Sequence, residues 1–125
     1  SDLLKQLTID CEVSCIKVSS YDGMHTTNEV TTLIGLKNSV KNKDIIIIED
    51  IVDTGLTIET LIKQLNLQEP SSIRIATMTF KEDAYTKSTP IDYVALRIPN
   101  KFIVGYGLDY DEIGRNYKDI YQVID

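Results

Sequence analysis

Tryptophan is absent from the 125-residue chain, histidine occurs once, as His25, and cysteine only twice, as Cys11 and Cys15. One imidazole and two thiols make no ligand set of the zinc type. The two cysteines lie four residues apart in a segment that reads as extended, too far for a disulfide. They are expected to be reduced and buried, as in a cytoplasmic protein. Basic charge is scarce as well: 13 Lys and Arg face 19 Asp and Glu, for a net charge of −6. That balance argues against a nucleic-acid surface as the main business of the chain. It does not argue against an anionic substrate, which backbone amides or Mg²⁺ can hold locally. No apolar run approaches the roughly 20 residues of a membrane helix, and the first residues do not read as a signal peptide. There is no internal repeat and no low-complexity tract. What remains is the length and composition of a single soluble domain, able to bury about two-thirds of its unfolded surface.

The stretch DIIIIEDIVDTGLTIETLIKQL, residues 44–65, organises that domain. The β-branched run 45–48 suits a strand covered on both faces. Ile58, Leu61, Ile62 and Leu65 then recur at the spacing of one helical face, and Pro70 lies beyond the point where that helix must stop. Upstream, residues 1–7 look like the second half of a helix, with Leu3, Leu4 and Leu7 on one face. Residues 12–19 and 30–36 read as strands of a hairpin around a polar loop, and residues 37–44 as a basic, turn-like connection. Downstream, strands are expected at 73–80, 92–98, 102–104 and 121–124, with 82–90 as loop. Strands interleaved with helices define an α/β protein with a mainly parallel sheet, whose ligands gather at the carboxyl ends of the strands.

The chemistry is concentrated where the first strand of that stretch ends. Gly55 permits a positive φ, so successive N–H groups can face one concavity, and Thr54 and Thr57 add hydroxyls at a helix N-terminus. A phosphate monoester fits there without a lysine. The preceding Glu49 and Asp50 suit sugar hydroxyls or Mg²⁺ rather than phosphate. Together they describe a site for a ribose 5-phosphate. On its own, Asp-Thr-Gly would more often be an ordinary strand-to-helix turn with a threonine N-cap; the preceding acid pair and apolar strand reverse that preference.

The string EDIVDTGLT after an isoleucine run resembles the phosphoribosyl-pyrophosphate motif of type I phosphoribosyltransferases. A second string, KFIVGYGLDYDEIGRN at 101–116, resembles a later signature of the hypoxanthine-guanine branch. The resemblance implies a twisted, mainly parallel sheet flanked by helices, with a mobile hairpin loop and a small hood, in one domain over residues 1–125. It implies transfer of 5-phosphoribosyl from phosphoribosyl pyrophosphate to a 6-oxopurine (hypoxanthine, with guanine and xanthine as further acceptors), with Mg²⁺ as cofactor, in a homodimer or homotetramer.

Residue by residue, it makes Asp53 the general base toward purine N7, and Glu49, Asp50, Asp53, Thr54, Gly55, Leu56 and Thr57 the phosphoribosyl site. Lys81 becomes a donor to the 6-oxo group, although as a lone lysine it would more often face solvent. Phe102 becomes a purine-stacking face, where composition alone would favour the core. Ile103 is placed to read the purine edge through its backbone. Asp109 falls beside the purine and holds Mg²⁺ with pyrophosphate, so that Glu49, Asp50 and Asp109 are the metal candidates. Arg115 contacts pyrophosphate, and Ser20 and Tyr21 sit in the lid loop, where His25 is read as a bystander. Leu56 stands where relatives often carry lysine, of little consequence if backbone amides bind the phosphate. The family's first strand and Leu-Lys-Gly pyrophosphate loop have no counterpart here. The 125 residues alone are therefore expected to be inactive, and to fold only with an upstream segment or a second chain.

Overall fold

The computed structural model describes residues 1–17, 36 and 38–124, in two units, Ser1–Ser39 and Val40–Asp125. The hairpin strand expected at 30–36 lies almost entirely outside the described residues, as do Ser20, Tyr21 and His25. In the first unit the expected N-terminal helix is a single 3₁₀ turn, Leu4–Gln6, with Leu3, Leu4 and Leu7 all exposed. A single turn whose leucines stay exposed cannot offset the cost of helix nucleation. Residues 12–16 form no strand, and both cysteines are free but exposed rather than buried. An alternating pattern becomes a strand only when a neighbour supplies the ladder.

The second unit holds β1 (Asp44–Val52), α1 (Leu56–Asn66), β2 (Ser72–Phe80), β3 (Tyr93–Arg97), β4 (Ile103–Val104) and β5 (Tyr121–Gln122). A parallel sheet runs in the order β1-β2-β3, with Ile47 opposite Ile75 and Phe80 opposite both Val52 and Arg97. The expected strands are present, but the last two are only two residues long each. β4 and β5 pair antiparallel as a separate small hood. The loop after β2 contains a 3₁₀ turn, Glu82–Ala84.

α1 buries Ile58, Leu61 and Leu65, each worth roughly 1.5–3 kcal/mol of transfer free energy. A cavity of about 320 Å³ between Ile62 and Asn66 of α1 and Ile73 and Ile75 of β2 places the helix over that face of the sheet. Ile47, in register with Ile75, shares the covered face. Ile46 and Ile48 do not: they are 54% and 55% exposed, so β1 is covered on one face rather than two. The β-branched run specified the strand but not the number of layers packed on it.

Candidate active site

Parallel strands deliver their ends to the same edge. The Lys81 amide donates to the Val52 carbonyl at 2.9 Å, so Asp53 and Lys81 leave the sheet side by side. The Lys81 ammonium donates to Asp53 Oδ2 at 2.9 Å; the lysine side chain is buried, whereas the carboxylate is 45% exposed. Burial of the cation is offset by this partner, and the open side of Asp53 stays available to a ligand. Gly55 follows at φ 84°, in the left-handed region, as the N-cap of α1. No side chain caps the helix, so the first-turn amides of α1 retain their donor capacity. Thr54, Leu56 and Thr57 are all exposed around them.

Glu49 and Asp50 are consecutive in β1, near enough that the charge of one acts on the other. Asp50 Oδ1 accepts the Ile51 N–H at 2.8 Å. Glu49 is half-buried, with no protein cation paired to it among the described residues. Burial first, and the charge of Asp50 second, raise its pKa above the ordinary 4.5. A raised folded-state pKa means that ionised Glu49 destabilises the fold, fully above the folded pKa and not at all below the unfolded one. Glu49→Gln is therefore expected to raise Tm at pH 7, with the gain vanishing below about pH 4; melting curves across that range check it.

A second cluster lies in and beside the hood. Asp109 Oδ1 pairs with Arg115 Nη2 at 2.7 Å, its Oδ2 accepts the Glu112 N–H at 2.9 Å, and Arg115 Nη1 donates to the Gly107 carbonyl at 2.9 Å. Phe102 is exposed rather than in the core, edge-on to Tyr110 with ring centroids 5.4 Å apart. Ile103 sits next to it in β4, opposite Gln122. Glu49, Asp50 and Asp109 do not converge: among the described residues no three acidic, histidine or cysteine side chains are placed to hold a metal. Both oxygens of Asp109 are engaged within its own loop.

One component was invisible in the sequence. The segment after Lys81, read there as plain loop, lies against the turn from behind. The backbone N–H and hydroxyl of Thr86 both donate to the Thr54 carbonyl, at 3.3 and 3.2 Å. The Tyr85 ring packs against Gly55 and edge-on to Phe80 at 5.3 Å, and its hydroxyl donates to the Thr89 carbonyl at 2.6 Å. Lys87 pairs with Glu59 of α1 at 3.0 Å. The 32-residue separation of Thr86 from Thr54 leaves no local signal to read.

A parallel sheet whose first crossover begins with an uncapped glycine turn, beside two carboxylates, defines an α/β protein of the class that seats phosphorylated ligands at its strand ends. The family model of the phosphoribosyl transferase domain matches residues 1–111. Hypoxanthine phosphoribosyltransferase of Haemophilus influenzae is 37% identical over 125 residues, covering 99% of this chain and 70% of the relative. Hypoxanthine-guanine phosphoribosyltransferase of Staphylococcus aureus is 38% identical over 117 residues, or 93% of this chain and 65% of the relative. The crystal structure of a hypoxanthine phosphoribosyltransferase from Staphylococcus aureus superposes with a TM-score of 0.87 at 37% identity, over 98% of this chain and 67% of that one. A hypoxanthine-guanine phosphoribosyltransferase from Bacillus anthracis gives 0.84 at 32% identity. The chain belongs to the phosphoribosyltransferase family, in its hypoxanthine branch.

Proposed function

We propose that this chain serves purine salvage as one phosphoribosyltransferase domain, transferring 5-phosphoribosyl from phosphoribosyl pyrophosphate to hypoxanthine or guanine and releasing pyrophosphate. The observation that carries the reading is the Lys81–Asp53 pair at 2.9 Å beside the uncapped turn. On a 6-oxopurine, the carbonyl O6 and the N7–H are neighbours on one edge. An ammonium next to a carboxylate meets that edge donor to acceptor and acceptor to donor. Adenine would set its amino group against the ammonium, donor against donor.

In this mechanism the turn amides and the hydroxyls of Thr54 and Thr57 hold the 5′-phosphate, and Glu49 and Asp50 hold the sugar hydroxyls. Asp53 takes the N7 proton as the base attacks the anomeric carbon, whose bond to pyrophosphate is breaking with oxocarbenium character. Lys81 holds O6, and Phe102 offers a stacking face. A half-buried Glu49 lacking a protein cation, beside Asp50, fits Mg²⁺, which is commonly bound by one or two carboxylates together with substrate phosphates. When bound, the ion would neutralise charge on the leaving pyrophosphate. Arg115 is the pyrophosphate ligand, and must exchange Asp109 for it.

Assays of the intact enzyme with phosphoribosyl pyrophosphate, Mg²⁺ and single nucleobases test the reading. Hypoxanthine is expected to be used at least about 10- to 100-fold better than adenine, the worth of one charge-assisted hydrogen bond. Preference for adenine or orotate would overturn it.

A further inference from the structure

The connection after β2 does more than link two strands. Peptide groups are planar and trans, so the C=O of residue 54 and the N–H of residue 55 point in opposite directions. Thr86 holds the Thr54 carbonyl with two donors, its N–H at 3.3 Å and its hydroxyl at 3.2 Å. The Gly55 N–H is thereby turned away from Thr86. A peptide that precedes a glycine flips readily, because glycine accepts either sign of φ. Gly55 at φ 84° is such a residue.

We propose that residues 85–87 form a strap that locks the Thr54–Gly55 peptide in its phosphate-binding orientation, with Thr86 as a positioning residue for the 5′-phosphate. Tyr85 backs the glycine and is itself anchored through its hydroxyl to Thr89. Lys87 ties the strap to the first turn of α1 through Glu59. The proposal rests on the phosphoribosyl reading of the turn, but its central claim, a locked peptide, is testable without turnover.

The experiment compares wild type with Thr86→Val, Thr86→Ala and Thr86→Ser. Loss of the hydroxyl in Val and Ala is expected to raise KM for phosphoribosyl pyrophosphate roughly three- to tenfold, the worth of one neutral hydrogen bond. KM for the base, kcat and Tm should stay near wild type, and Thr86→Ser should restore the lost affinity. Independently of activity, ¹⁵N relaxation dispersion at Gly55 should be flat in wild type and Thr86→Ser and show exchange in Thr86→Val. Flat dispersion in Thr86→Val, or a wild-type KM in both Val and Ala, overturns the strap. An intact wild-type enzyme with no phosphoribosyl transfer at all would overturn the functional reading instead, leaving the dispersion result to decide the lock.

Discussion

Asp53→Asn is expected to lower kcat roughly 10²- to 10⁴-fold while nucleotide affinity stays close to wild type. The substitution keeps the shape of the side chain and keeps an oxygen that can accept from Lys81 Nζ, now 2.9 Å away. The buried ammonium therefore retains a partner, and the sheet edge has no reason to rearrange. What the amide cannot do is take a proton from the purine nitrogen. The loss should thus fall on kcat, with the affinity for the product nucleotide as the control. Full activity with an unchanged pH profile would remove Asp53 from the chemistry.

The other large effect is expected at Gly55. An added Cβ would collide with the Tyr85 ring and come within 2.8 Å of Lys87 Cγ, at a φ of 84° that costs an L-residue about 1–2 kcal/mol. Gly55→Ala should therefore destabilise the protein measurably and displace the turn from the strap. Misplacement of a binding group by about 1 Å can cost on the order of 10²-fold, and a fall of that size in kcat/KM for phosphoribosyl pyrophosphate is expected. Melting curves and steady-state kinetics on the same preparation check both parts. Wild-type kcat/KM in Gly55→Ala would mean that the turn does not hold the phosphate.

The contrast between what could and could not be read from the residues follows the range of the interactions. α1 and β2 were legible almost to their ends, because a helical stripe, a β pattern and Pro70 are local signals, whereas β1 runs on past the β-branched run, through Glu49 and Asp50, to Val52. The Asp53–Lys81 contact was not legible: it follows from the parallel register that sets Val52 opposite Phe80, which only the structure supplies. The exposure of Ile46 and Ile48 was not legible, since hydrophobicity marks a strand without saying what covers it. The N-terminal turn was over-read as a helix because three leucines fit a helical face over less than two turns. Thr86 and Tyr85 gave no signal, because polar and aromatic loop residues acquire meaning only from what they touch. The engagement of Asp109 with Arg115 was hidden for a related reason: the sequence offers a carboxylate and a cation, and only the loop decides that they satisfy each other.

The pairing of Asp53 with Lys81 has a consequence for the order in which the molecule assembles. The two residues are 28 positions apart, one just after β1 and the other just after β2, so that α1 and β2 form the loop between them. Their bond cannot form until α1 has folded back and β2 has docked along β1, and its formation completes the closure of that loop. Asp53 thus depends for its neighbour on the register next to it, Val52 opposite Phe80. A fluctuation that lifts the carboxyl end of β2 from β1 separates the pair at the same instant. Loss of that final register and loss of the partner of Asp53 are in that case the same event.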